Sequence, residues 1–431
     1  MTDKNYHDWL NSFHKFGVKL DLSRIKHICK ELKNPQNSYK IVHVGGTNGK
    51  GSVCRFLGSI LKESGYKTGI YTSPHLECFS ERIKVNNKEI SEKELNTIFK
   101  KIKPIVDEMI KKDMNPTYFE IVTAIAFLYF KIKKVDIALI EVGLGGRFDA
   151  TNIVKPVLSV ICNVSMDHQD RLGDTIEKIS FEKAGIIKKN IPVVTSAENK
   201  ALKVIKKVSE ENNSKIFEIN QSNFKRKFND LKSQIFTINF LDKTVEVKTK
   251  SLGNFQGGNI ALAVACSIIL KNNGFKIDEK SIEKGIYNTK NSGRMELVSK
   301  KPLILLDGAH NLEGIEKLKK SLENDFEYNR LILVIGILKD KNYIDMLETI
   351  VPICDIVVTT KSTNKRSLSP FKLKKEVEYV DYKKTIIPFE SIDKGVLYAK
   401  SEAGIKDMIC ICGSLFTVGE ARSFLKEIIL F

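Results

Sequence analysis

Four glycines, a lysine and two hydroxyls fall within Gly45-Gly46-Thr47-Asn48-Gly49-Lys50-Gly51-Ser52. Glycines let backbone N–H groups wrap phosphate oxygens, and a lysine at that place neutralises β/γ oxygens. The run departs from G-x-x-x-x-G-K-[ST]: Val44 stands at the first glycine position, and Gly51 separates Lys50 from Ser52. It reads as a phosphate loop or as a turn that needs glycine only for positive φ. A second cluster runs from Glu141 through Gly143, Gly145, Gly146, Arg147, Phe148, Asp149, Ala150 and Thr151 to Asn152. An acid at the end of an apolar strand is a Mg²⁺ ligand or an exposed strand-end carboxylate. A third, Asn163-Val164-Ser165-Met166-Asp167-His168-Gln169-Asp170, is followed by Lys183. His168 between acids reads as a metal or phosphate group, or as a loop histidine. Asp307-Gly308-Ala309-His310-Asn311 repeats the theme far downstream, with Asn311 able to N-cap a helix.

These residues need elements to hold them at strand ends. Residues 39–44 form a short apolar run before the glycines, and Val53, Phe56, Leu57, Ile60 and Leu61 follow at helical spacing. That is strand, tight loop, helix. A strand over 68–71 runs into Ser73-Pro74-His75. Ser91 and Glu94 make a capping-box pattern before a helix expected to bend at Pro104. A helix over 117–131 and strands over 135–142 and 157–162 come next. Apolar strands alternating with helices predict a mostly parallel sheet covered on both faces. Alternation over 235–247 predicts a hairpin inserted at the sheet edge. Strands restart at 303–306, 331–335, 356–359 and 408–411, predicting a smaller C-terminal α/β, Rossmann-like unit, with 288–301 as linker. The expected division is 1–294 and 295–431, with a ligand held between the two units.

The 431 residues carry Lys+Arg 70 against Asp+Glu 52, a net +18 that favours anionic partners without choosing among nucleotides, nucleic acid, membrane and polycarboxylates. At about 100–200 residues per domain the length predicts two or three domains. Eight cysteines lack any CxxC pair, which argues against a zinc module and a disulfide framework. The N-terminus lacks the apolar core of a signal peptide, and no run of about 18 apolar residues occurs, so the expectation is a cytoplasmic protein that engages no membrane.

Taken in order, these segments resemble the folylpolyglutamate synthase and dihydrofolate synthase family, relatives of the muramyl-peptide ligases. The resemblance spans essentially the whole chain. It is carried by the 46–52 loop, Ser73-Pro74-His75-Leu76, Thr117-Tyr118-Phe119-Glu120, the 141–152 cluster, Asp167-His168-Gln169, Glu182-Lys183-Ala184-Gly185-Ile186, Phe255-Gln256-Gly257-Gly258-Asn259, Arg294, the 307–311 cluster and Gly413-Ser414-Leu415. G-T-N-G-K-G-[ST] is that family's own form of the phosphate loop.

The resemblance implies that Gly46, Thr47, Asn48, Gly49, Lys50, Gly51 and Ser52 bind the ATP triphosphate, and that Asn259, Arg294 and Asp307 hold the nucleotide. Ser73 and Glu141 would hold one Mg²⁺ and His168 a second. Lys183 matches a lysine carbamylated in the family, His310 would sit near the phosphates, and Asp149 and Ser414 would bind substrate. Lys50, Glu141, His168, Lys183 and His310 are thereby the expected catalytic set. The implied reaction is ATP-dependent ligation of L-glutamate to dihydropteroate and then to tetrahydrofolate and its polyglutamates, by a monomer that needs no nucleic acid. Arg147-Phe148-Asp149-Ala150-Thr151-Asn152 resembles the R-L-D-A-T-N form of bifunctional enzymes, with Phe148 in place of leucine. The alternatives are a folylpolyglutamate synthase alone, a muramyl-type ligase, a P-loop NTPase switch and a nucleic-acid-binding module. The 44 residues before the loop are too few for the leading domain of muramyl ligases.

Overall fold

The structure, a computed structural model, describes residues 4–17, 19 and 21–429. Eight strands build the first sheet: β1 (Lys40–Gly45), β2 (Thr68–Tyr71), β3 (Ile83–Val85), β4 (Lys88–Glu89), β5 (Ile137–Glu141), β6 (Leu158–Ile161), β7 (Val193–Thr195) and β8 (Ile216–Glu218). Their order is β4-β3-β2-β5-β1-β6-β7-β8. In the order from β2 to β8 all neighbours pair in parallel, and only β3 runs against the rest, pairing antiparallel with both β2 and β4. Because β1 and β5 lie at the centre with helices on both faces, nearly every residue in them is buried. Side chains alternate: Val42 and Val44 join the core beneath the helices Lys50–Glu63 and Gln256–Asn272, whereas Ile41 faces the core of Tyr118–Ile132 and Glu92–Lys111. The last of these helices continues through Pro104 as one element.

The expected edge hairpin is a separate three-stranded sheet, β9 (Phe224–Asn229), β10 (Gln234–Phe240) and β11 (Lys243–Thr249), in the order β11-β10-β9. Its alternating side chains make one apolar face, and Phe236, Ile238, Phe240, Val245 and Val247 bury it in the core shared with Gln256–Asn272. That face needs a helix to cover it, which a position at the main sheet's edge would not supply.

The C-terminal sheet holds β12 (Glu296–Lys300), β13 (Leu303–Leu306), β14 (Leu331–Ile335), β15 (Ile356–Thr359), β16 (Thr385–Pro388) and β17 (Met408–Cys412), ordered β12-β13-β17-β14-β15-β16. It is parallel except at β12, which pairs antiparallel with β13. Thus the stretch expected as a linker over 288–301 is partly an edge strand; its half-exposed residues weakened its apolar signal. All eight cysteines are unpaired and seven are buried. Among the described residues no helix is long and apolar enough to cross a membrane.

The two lobes meet firmly at the loop after β2. Leu76 packs into the core under the helix Leu415–Ile429, and Glu77 pairs with Arg422 at 2.6 Å and Lys426 at 2.7 Å. Gly419 permits this approach, since a Cβ there would lie 1.9 Å from the Leu76 carbonyl oxygen. Gly419→Ala is therefore expected to force backbone apart and lower stability by about 1–3 kcal/mol. A melting temperature equal to the parent's would show that the contact yields freely.

Candidate active site

The carboxyl ends of β1, β5 and β6 converge on one cleft of about 540 Å³ between the lobes. Such crests are where parallel α/β sheets collect ligands, because the loops diverge there and helix N-termini point inward. The 46–49 turn leaves β1 and opens the helix Lys50–Glu63. Two glycines are required by its geometry. Gly46 has φ +132 and lies against Cys162; Gly49 has φ +87, and a Cβ there would fall 2.4 Å from Asn259 Oδ1. The turn is thus braced against the start of Gln256–Asn272, where Asn259 Nδ2 also donates to Gln256 Oε1 at 2.9 Å. The segment after β6 braces its other side: Thr47 N donates to the Asn163 carbonyl and Asn48 N to Asn163 Oδ1, both at 2.8 Å.

Two lysines reach one carbonyl. Lys50 Nζ donates to Gly46 O at 3.1 Å and Thr47 O at 3.0 Å, and Lys183 Nζ, from the end of the helix Ile176–Ala184, donates to Gly46 O at 3.0 Å. Lys183 is 5% exposed. Burial first, and then the charge of Lys50, lowers its pKa to about 7. Glu141 ends β5, equally buried, and its Oε2 accepts from Ser73 N at 3.1 Å. Burial pushes its carboxyl up, opposed by Lys50, the Ser73 amide, Arg55 and Arg294.

The third cluster splits. Asp167 turns inward and pairs with Lys341 of the C-terminal lobe at 2.7 Å, both side chains nearly buried. Burial opposes its ionisation, yet Lys341 holds it well below the usual carboxylate range. His168 adopts φ +53 and stands at the cleft wall with its side chain 41% exposed. Asn311 Nδ2 donates to Asn48 Oδ1 and to Asp167 Oδ2, both at 3.2 Å, while its Oδ1 caps the helix Leu312–Asp325 at Gly314 N. Glu313 accepts from Asn48 Nδ2 at 2.8 Å and from Asn163. The phosphate-loop turn is therefore gripped by side chains of the opposite lobe.

Asp307 accepts from Met295 N at 2.9 Å and Ala309 N at 2.8 Å, so it holds the Arg294–Met295 turn against β13. Arg294 Nη1 donates to Gly308 O at 3.3 Å. The His310 ring lies 2.8 Å from the same carbonyl through Nδ1. A carbonyl only accepts, so Nδ1 carries the proton and Nε2 is a lone pair; desolvation with Lys341 and Arg294 lowers the pKa to about 4. Ser414 caps Leu415–Ile429 through Thr417 N at 3.0 Å and lines the cleft. Asp149 N-caps the short 3₁₀ turn Ala150–Ile153, and Asn152 Nδ2 ties that turn to Arg147 O and Gly185 O.

All predicted site residues line this one cleft. Thr117 and Glu120 line it as well, and Glu120 also closes a capping box and accepts from Arg24. Sequence reasoning missed Arg55, Glu313 and Lys341. Arg55 lies one helical turn past Gly51, a spacing that would have found it; Lys341 sits in a polar loop with no local signal.

A divalent cation is tested by these donors. Glu141 beside Ser73 suits Mg²⁺, which keeps most of its waters and takes one or two carboxylates plus phosphate oxygens. His168 with an unmodified Lys183 does not make a second site, because an amine donor offers no oxygen. Among the described residues no group of three or more His, Cys, Asp and Glu side chains is arranged to hold a metal ion.

The Mur ligase middle domain matches residues 44–267 and the Mur ligase glutamate ligase domain matches 293–415. The chain is 36% identical to the dihydrofolate synthase/folylpolyglutamate synthase of Bacillus subtilis, over 97% of this chain and 98% of that protein. It is similar to the solved folylpolyglutamate synthase of Thermotoga maritima, with TM-score 0.84 and 37% identity over 98% and 96% of the two chains. Escherichia coli FolC, solved in complex with DHPP and ADP, gives TM-score 0.89 at 28% identity over 100% and 99%. A likeness that runs through both lobes and the cleft between them means that the chain belongs to the dihydrofolate synthase/folylpolyglutamate synthase family of Mur ligases.

Proposed function

We propose that this enzyme uses ATP to join L-glutamate to dihydropteroate, and to the γ-carboxyl of tetrahydrofolate and its polyglutamates, through an acyl phosphate. The observation that carries this reading is the convergence of Lys50 and Lys183 on the Gly46 carbonyl, opposite the buried carboxylate of Glu141. Lys50, a cation with only carbonyl oxygens for partners, makes a site for polyanions, and Lys183 beside it is a buried amine open to modification. The backbone of 46–49 and the start of Lys50–Glu63 bind the triphosphate, Asn259, Arg294 and Asp307 hold the nucleotide, and Ser73 with Glu141 would hold Mg²⁺. When bound, that ion neutralises developing charge on the phosphoryl oxygens.

A substrate carboxylate oxygen attacks the γ-phosphorus, the bond to the β–γ bridging oxygen breaks, and ADP leaves. Lys50 compensates the charge on the transferred group. The glutamate nitrogen then attacks the acyl carbon and phosphate departs. His310, neutral with Nε2 unprotonated, takes the amine's proton. Ser414 and Asp149 hold substrate, the latter accepting from the pterin ring edge. The division of labour follows 1–294 and 295–431, in a cytoplasmic monomer.

Lys183 is carbamylated in the working enzyme: its buried amine is uncharged in part near neutrality, adds CO₂ with loss of a proton, and becomes an anionic oxygen donor. With His168 it would then complete a second Mg²⁺ site. A ¹³C carbamate resonance is expected from protein equilibrated with ¹³C-bicarbonate and lost in Lys183→Ala; its absence at pH 8 rules the modification out.

The decisive assay is ADP release with dihydropteroate or tetrahydrofolate, with and without L-glutamate. Hydrolysis indifferent to all three would indicate an NTPase switch. Lys50→Ala and Glu141→Gln are each expected to lower turnover by about 10²–10³ with unchanged circular dichroism, and near-normal turnover removes the residue from the mechanism. Asp149→Ala should impair dihydropteroate use more than tetrahydrofolate use; equal losses contradict the bifunctional reading.

A further inference from the structure

Beneath Asp149 lies a buried polar chain that does not itself line the cleft. His43 is the third-last residue of β1, in a run otherwise made of Ile41, Val42, Val44 and Gly45. It is fully buried, as is Thr151, and the ring Nε2 lies 2.8 Å from Thr151 Oγ1. The same hydroxyl donates to Asp149 Oδ1, which also accepts from Thr151 N at 3.0 Å; Oδ2 accepts from Leu144 N at 2.9 Å. Asp149 alone of the three reaches the cleft.

Proton counting fixes the direction of this chain. A threonine hydroxyl has one proton, and Thr151 gives it to Asp149, so it accepts from His43. His43 is therefore the neutral Nε2–H tautomer. Its Nδ1 is a bare lone pair, in keeping with the lack of any partner for that atom among the described residues. Burial, then Lys188, lowers the ring's pKa to about 3, so the ring stays neutral through the physiological range. A hydroxyl that accepts one hydrogen bond donates a stronger one. An apolar side chain would fill this place in β1 without leaving a buried nitrogen unpartnered, which costs free energy. The imidazole is thus matched to Thr151.

The consequence falls on Asp149. Both donors of Thr151 occupy Oδ1, so a ligand in the cleft meets the carboxylate through Oδ2, beside the Gly143–Leu144 backbone. We propose that His43 and Thr151 are positioning residues that set substrate specificity, locking the Asp149 carboxylate in the one rotation that leaves Oδ2 to accept an N–H donor of a fused aminopyrimidinone ring. This rests on the reading of Asp149 given above. It goes further in assigning selectivity to two residues that touch no reactant. β1 also carries the phosphate-loop turn two residues on, so the specificity relay and the ATP turn hang from one rigid strand.

The test compares KM and kcat for dihydropteroate, tetrahydrofolate and ATP in Thr151→Val and His43→Leu, with Thr151→Ser and His43→Gln as conservative partners. Thr151→Val and His43→Leu are expected to raise KM for dihydropteroate about tenfold, equal to about 1.4 kcal/mol, while KM for ATP and kcat stay within about twofold. Thr151→Ser and His43→Gln, which keep a hydroxyl and an N–H donor, should return KM to within about threefold of the parent. Asp149→Ala is measured alongside. If Asp149→Ala leaves the dihydropteroate KM unchanged, the reading of Asp149 fails. If Asp149→Ala raises it but Thr151→Val and His43→Leu do not, the relay alone is overturned. Equal rises in KM for ATP and dihydropteroate, or no recovery with Ser and Gln, would reduce the pair to core packing and overturn the proposal. Should Thr151→Val or His43→Leu not fold, Thr151→Ala and His43→Ala carry the same comparison.

Discussion

Everything in this cleft depends on a placement of like charges that the protein alone does not resolve. Lys50 and Lys183 converge on the single carbonyl of Gly46, in a region where solvent screening is weak. Burial first, and then the charge of Lys50, depresses the pKa of Lys183. Glu141 offsets part of it, but burial pushes this carboxyl up and leaves it divided among several cations. A polyanion that settles beside Lys50 relieves one of these strains, and modification of the Lys183 amine would relieve the other. The fold therefore spends little structure on recognising phosphate beyond holding these groups still, and the glycines at 46 and 49 allow the backbone to come close enough to do so.

Holding them still requires both lobes. Asn48, inside the turn, exchanges hydrogen bonds with Asn311 and donates to Glu313 across the cleft. Asp167 and Lys341 close the same gap with a nearly buried ion pair, and removing one partner of such a pair costs about 3–5 kcal/mol because the other is left unpaired. On the far side, the loop bearing Ser73 continues into Leu76 and Glu77, which the last helix grips. Ligand residues of the first lobe thus take their positions partly from contacts made by the second. A shift of the C-terminal lobe must move the Ser73 loop and the phosphate turn together.

Much of this was legible in local sequence. The glycines of 45–51 implied a turn, the apolar runs implied parallel strands, and the order of motifs along the chain placed Glu141, His168, Lys183 and Asp307 at loop positions after strands or on the helix that follows. What was not legible depends on partners distant in sequence. The alternation over 235–247 has the same appearance whether the strands extend an existing sheet or form their own; only the apolar surface of Gln256–Asn272 decides it. The edge strand Glu296–Lys300 is mostly half-exposed, so its composition resembles a linker. Lys341 and Glu313 lie in polar surroundings that signal nothing until the opposite lobe is present. Roles were also partly concealed: Ser414 and Asp307 line the cleft, and each is at the same time a local fastener of a helix end or a turn.

That double use explains how one sheet serves two kinds of reactant. Residues of β1 alternate between faces, so Val42 and Val44 seat the helix that begins at Lys50 while His43 points the other way, toward Thr151 and Asp149. A change of twist in β1 would disturb both the turn it carries and the hydrogen bond from His43 toward Thr151 and Asp149. Neighbours β5 and β6 pair with β1 on either side and limit that change. Asn152 then ties the Asp149 turn to Gly185, next to the helix that supplies Lys183. Asp149 and the lysines at the 46–49 turn are consequently held in one frame of backbone and side-chain hydrogen bonds anchored on the sheet.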